Sequence, residues 1–354
     1  MTCINSKCTY LLICALYLGF SSCRTDKKNA EISLSGIHKV KLLDSLSAAQ
    51  TIVKDDLENF FDNITPIDMM IQMKRSYAAT TPRETILADY KKYIQQDVSD
   101  FTPDEAEKVD NAMHEAFSLC NKVTGNIFPE EIKIIKSHGK HYGEDTYYTR
   151  ENVIVVPKQA LQNFNADVFL KVLLHEVSHI ITRLNPTMKA KLYATIGFKK
   201  LASPLIINDS LKSRLLTNPD GHDLNWVTEL TTAAKTNVYT LPIIYANESV
   251  YKPEKPEFFQ YLGWNYFEIL PSDSGKELVV QTIGNQQKST LNTEGITTIF
   301  KEKFNTDYII HPDEIVADNF SILMFSVKNP KSLEAYSANG RKLLDTMRGV
   351  LMEF

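Results

Sequence analysis

The spacing of hydrophobic positions changes character several times along the chain. From about residue 44 to 125 apolar side chains recur at helical intervals, and 44–61 and 82–98 read as amphipathic helices. A third helix has its own start signal in Thr102-Pro103-Asp104-Glu105. Thr is placed to cap, Pro suits the first turn, and Glu three residues on can close a capping box. Ala106, Val109, Met113, Phe117 and Cys120 then mark one apolar stripe. Near residue 131 the period shortens to two, and 131–136 alternates as a strand does. Residues 152–157 form a β-branched run closed by Pro157, which predicts a strand at a sheet edge.

The next segment, 166–184, is apolar at helical spacing and stops before Pro186. Between about 222 and 300 the pattern turns β-like, at 226–231, 237–245, 261–269 and 278–283. Pro312 then opens a helix to about 325, and 332–352 reads as a C-terminal helix. The expectation is an α+β chain: a helical N-terminal region over 44–125, then a core over 126–354 with a β-rich insertion at about 222–300. No internal repeat, Gly-rich phosphate loop or GxSxG elbow is present.

The first residues read as an address. Lys7 precedes an apolar run over 10–20, followed by Ser21-Ser22-Cys23. The run is about half the ~20 residues that a spanning helix needs. Residues 1–22 are therefore expected to be a signal peptide, and 23–43 a tether. Phe20-Ser21-Ser22-Cys23 resembles the lipobox of bacterial lipoproteins, which implies that Cys23 becomes the lipid-bearing first mature residue. Arg24 follows in place of an acidic residue, which favours the outer membrane of the cell envelope. Of the five cysteines, Cys120 alone remains beyond that point, so no internal disulfide is expected.

Composition narrows the classes further. The 354 residues are 43% hydrophobic and 23% charged, which excludes a disordered chain. A net charge of -4 lacks the basic footprint of a nucleic-acid binder.

The chemistry sits in His175-Glu176-Val177-Ser178-His179, an HExxH pattern inside the 166–184 helix. Positions i and i+4 share a helix face, so both imidazoles can reach one ion. Glu176 lies on the flank, where it can act as general base toward a zinc-activated water. The flanking Leu173, Leu174, Ile180 and Ile181 predict a buried helix, where such polar groups need partners. Catalytic zinc takes a third protein ligand and keeps one position open. After His179, Glu314-Ile315-Val316-Ala317-Asp318 is the one Glu followed four residues later by Asp or Glu. Glu314 can supply the third ligand, and Asp318 can accept the free N–H of a ligating histidine.

HExxH followed by ExxxD on two helices resembles the gluzincin metallopeptidases. That resemblance implies a zincin-like core with an active-site helix beside an edge strand. It assigns His175, His179 and Glu314 to one Zn2+, Glu176 to the base, and Asp318 to orienting the first histidine. It implies a peptide or protein substrate. The oxyanion of such a reaction needs a further donor. His222 is the leading candidate, ahead of His311, Tyr147, Tyr148 and Arg150. Two other readings stay open: an exported lipoprotein that binds a ligand or partner without proteolysis, and one in which HExxH is accidental. Oligomeric state is left open, as is whether the 44–125 helices are a scaffold or a cover for the cleft.

Overall fold

A computed structural model describes residues 29–231, 236–292 and 295–354. The signal-peptide, lipobox and Cys23 expectations lie outside the described residues. Among the described residues no helix is long and apolar enough to cross a membrane. The architecture is α+β with two six-stranded sheets.

The first sheet contains β1 (Ala30–Ser35), β2 (His38–Leu42), β3 (Val98–Ser99), β4 (Glu131–Ser137), β5 (Tyr148–Arg150) and β6 (Val153–Pro157). Its order is β1-β2-β4-β6-β5, with β3 pairing at the end of β4. β2, β4 and β6 run parallel, and β5 closes one side antiparallel to β6. Two expectations are corrected here. Residues 30–42 form a hairpin in this sheet rather than a tether. The 153–157 strand is interior, and the edge beside it is β5. Pro157 is tolerated because it is the last residue of its strand.

Strand periodicity divides this sheet between two cores. Ile132, Ile134, Ile154 and Val156 face one, while Ile135, Val153 and Val155 face the other. The second core is closed by the N-terminal helices α1 (Ser45–Thr51), α2 (Phe60–Asn63), α3 (Pro66–Gln72) and α4 (Arg83–Gln95). The helix expected over 44–61 is broken in two. Asp55 accepts hydrogen bonds from the backbone N–H of Phe60 (2.8 Å) and Phe61 (2.7 Å), a local side-chain alternative to the helical ladder.

On the other face lie α5 (Pro103–Thr124), α6 (Lys158–Gln162), α7 (Ala166–Leu184) and α8 (Pro186–Thr195). The capping box of α5 forms as expected between Thr102 and Glu105. Glu105 also accepts from buried Lys136 of β4 at 2.6 Å, tying helix start to sheet. Cys120 is a buried free thiol on the apolar stripe of α5.

The second sheet comprises β7 (Phe198–Lys200), β8 (Leu205–Ile206), β9 (Trp226–Thr231), β10 (Asn237–Ala246), β11 (Leu262–Pro271) and β12 (Leu278–Val280). Its order is β7-β9-β10-β11-β12-β8, so it begins upstream of the expected 222–300 segment. Short α9 (Asp209–Lys212) packs Leu211 on its core. The chain then returns to the main core through α10 (Ile296–Phe304), α11 (Pro312–Lys328) and α12 (Ala338–Leu351). α12 starts later than expected because Ser337 is its cap, accepting from Gly340 N at 2.9 Å.

One buried carboxyl in the N-terminal layer makes folding sensitive to pH. Asp68 of α3 is fully buried, and burial pushes it up to about 7 against opposing hydrogen bonds from Gln72 and Thr217. Its folded value is thus raised above its unfolded value of about 3.9. The contribution to stability is full below about 4 and is lost as pH rises to about 7. Wild type should therefore lose stability relative to Asp68→Asn across that window, by on the order of 4 kcal/mol as an upper bound. Urea melts of both chains at the two ends of the window check this, and parallel pH dependences would count against it.

Candidate metal centre

α7 carries the HExxH residues. Asn165 caps it by accepting from Val168 N at 3.1 Å, and Pro186 opens α8 directly behind it. Leu173, Leu174, Val177, Ile180 and Ile181 bury its apolar side. α11 brings the second motif. His311 caps it through Nδ1, which accepts from Asp313 N at 3.2 Å, and Pro312 takes the first turn. The two helices pack together, pinned where Ser321 Oγ donates to Lys171 O at 2.7 Å.

This packing gathers His175, His179 and Glu314, whose ligand atoms lie within 4.8 Å of one another. His175 Nε2 is 3.1 Å from Glu314 Oε2, and His179 Nε2 is 3.6 Å from the same oxygen. His175 Nδ1 lies 2.9 Å from Asp318 Oδ1. Asp318 is itself held by the hydroxyl of Thr306. Asn218 Nδ2 donates to the other oxygen of Glu314 at 2.6 Å. His179 and Glu314 are each only 1% exposed.

The hydrogen bonding of this cluster suits a cation. With the Nδ1 proton directed at Asp318, His175 Nε2 offers Glu314 a lone pair unless the ring is charged. Burial opposes that charge, but Asp318 and Glu314 outweigh it and raise the His175 pKa well above its ordinary value. Burial likewise disfavours the Glu314 carboxylate, and the two imidazoles more than offset this, so its pKa falls below the usual range. Both ring nitrogens of His179 and Oε2 of Glu176 are buried without a hydrogen-bond partner among the described residues. A metal ion bound by His175, His179 and Glu314 would take up one of these groups, the Nε2 of His179 that faces Glu314.

Glu176 and Asp220 face the same space. With His179 they form a second group of potential ligands. Asp220 Oδ1 is fixed by Thr149 N (2.5 Å) and Thr149 Oγ1 (2.9 Å). Burial, then the charge of Asp220, pushes Glu176 up to about 8. A cleft of about 760 Å³ opens over the cluster, lined by Tyr147, His175, Glu176, Asp220, Phe259 and Tyr308 among others.

The residues expected from the two motifs thus meet, and most of the expected oxyanion donors do not join them. The ring of His222 packs on Phe60 with centroids 6.1 Å apart, and the residue does not line the cleft. His311 is a helix cap. Tyr148 is buried against His141 at 2.9 Å, and Arg150 donates to the carbonyls of Ile52 and Lys54. Tyr147 lines the cleft. Asn218, Asp220, Thr306 and Tyr308 are site residues that sequence reading missed. Asn218 and Asp220 stand in a Pro/Gly-rich turn, where such residues normally serve the backbone, and only their burial reveals another role.

No protein-family model matches the chain, and no curated protein or solved structure matches it either.

Proposed function

We propose that the chain is a zinc-dependent metallopeptidase, held at the bacterial cell envelope by a lipid on Cys23. One observation carries the reading: a buried imidazole, a partly buried one and a buried carboxylate converge on one point at the floor of an open cleft. Ligands about 2.0–2.1 Å from a tetrahedral zinc sit ~3.3 Å apart. The 3.1 and 3.6 Å separations bracket that figure.

A zinc ion bound here supplies a Lewis acid and lowers the pKa of a bound water toward ~7. The chain's own residues do the rest. Glu176, beside the cluster and lining the cleft, takes a proton from the attacking water and returns it to the leaving amine. Asp318 holds the His175 ring in one tautomer. Tyr308, 41% exposed at the cleft, offers a phenol to the developing oxyanion. Tyr147 across the cleft is a second such donor. Six residues separate Cys23 from β1 at Ala30, so the lipid would hold the folded body within ~25 Å of the bilayer.

The test is elemental mass spectrometry on the chain from residue 24 onward, followed by a peptide-library digest. Near one zinc per chain together with cleavage supports the proposal. A folded chain that takes up no zinc when it is supplied overturns it.

A further inference from the structure

We infer that the N-terminal helices position the metal-ligating carboxylate, with Asp68 and Thr65 acting on Glu314 through the loop 215–220. The inference rests on the metal reading of the His175–His179–Glu314 cluster. Asp68 touches neither the cleft nor the cluster, so it is a positioning residue rather than a catalytic one.

The chain of contacts is short. Asp68 Oδ2 accepts from Thr217 N at 2.7 Å. The next residue, Asn218, is 8% exposed and donates to Glu314 Oε1 at 2.6 Å. Thr65 Oγ1 donates to Leu215 O at 2.7 Å, two residues before Thr217. Beyond Asn218, Arg183 donates to Asp220 O at 3.0 Å and to Pro219 O at 3.4 Å. Glu58, just before α2, holds the Arg183 guanidinium in turn. Asn218 is therefore fixed on one side by α3 and its cap and on the other by α7.

Packing alone does not account for Asp68. A carboxyl at 0% exposure costs desolvation that an apolar side chain in α3 would avoid. Its two oxygens are both committed, one to Thr217 N and the other to Gln72 Nε2 at 2.8 Å. Gln72 in turn accepts from Tyr90 OH at 2.6 Å. The network ends at the backbone amide beside Asn218. Such an arrangement holds that loop where Asn218 can orient one oxygen of Glu314 and leave the other for the metal.

Zinc affinity, read by competition with a chromophoric chelator on the full mature chain, tests this. Asn218→Ala should weaken binding ~10–100-fold, the usual cost of losing a partner of a ligating group. Asp68→Ala should reproduce much of that loss. The double variant should bind no more weakly than Asn218→Ala alone, because both changes break one linkage. Asp68→Asn should stay close to wild type. Its carbonyl can still accept from Thr217 N, and a rotated Gln72 amide can accept from its NH2.

Thermal melts in excess chelator report whether each variant folds. Should Asp68→Ala not fold, Thr65→Val removes the tie to Leu215 and should weaken zinc binding in the same direction. Wild-type affinity in a folded Asp68→Ala or Asn218→Ala chain overturns the inference. So does wild-type affinity in Thr65→Val, and so do losses that multiply in the double variant. A wild-type chain that binds no zinc would instead sink the metal reading itself, a different result from a zinc-binding chain indifferent to Asp68.

Discussion

Glu176→Gln should keep the metal and lose hydrolysis by ~10²–10⁴-fold, the range expected when a general base is removed. The substitution is nearly isosteric, so the packing of a residue only 4% exposed is preserved. Glu176 does not belong to the three-ligand set His175, His179 and Glu314, so zinc content should be unchanged. An amide cannot accept the proton that a carboxylate takes from water, and the loss therefore falls on kcat more than on KM. The same change removes one negative charge beside Asp220. The folded variant should be at least as stable as wild type, since a buried carboxyl next to another is costly to ionise. Elemental analysis, a thermal melt and steady-state kinetics on one preparation read all three quantities. Full activity in the variant would remove Glu176 as base and would turn attention to Asp220 beside it.

The motifs at the heart of this prediction were legible because their information is local. HExxH needs only helical spacing, and α7 follows from its apolar stripe, the Asn165 cap and the Pro186 stop. Glu314 and Asp318 are legible for the same reason, on a helix opened by Pro312. The α5 capping box is another local device. The parts that escaped depend on distant partners. The 30–42 hairpin lies inside the segment expected to be a tether, and its parallel pairing to β4 joins residues far apart in the chain. β5 is a three-residue edge strand whose identity comes from pairing with β6. Asn218 and Asp220 carry turn residue types, and their role comes from Glu314 and Thr149, each distant in sequence. His222, the leading oxyanion candidate on sequence, lies in the same turn-rich loop. The loop does reach the site, but through Asn218 and Asp220, while the His222 ring goes to Phe60.

Glu314→Ala should cost more than ~100-fold in zinc affinity, beyond what losing a supporting partner does. Glu314 contributes the one negative charge of the three-ligand set, and its oxygen approaches both histidines. Without it two neutral imidazoles remain, and zinc sites in proteins seldom rest on two ligands. A second cost falls on the apo chain. Asn218 loses the acceptor for its buried amide, a penalty of ~1–3 kcal/mol. The two costs separate by experiment. A ligand that binds only the folded state stabilises it by about 2.7 kcal/mol at a hundred times its dissociation constant. Zinc should therefore raise the melting temperature of wild type and leave that of Glu314→Ala almost unmoved. Glu314→Gln isolates the charge, since its amide oxygen can still accept from Asn218. It should recover apo stability while recovering little zinc affinity. If Glu314→Ala instead kept wild-type affinity, the ion would have to sit with Glu176, His179 and Asp220, the other group able to hold it. Asp220→Asn would then abolish binding, and Glu176 would be a ligand rather than a base.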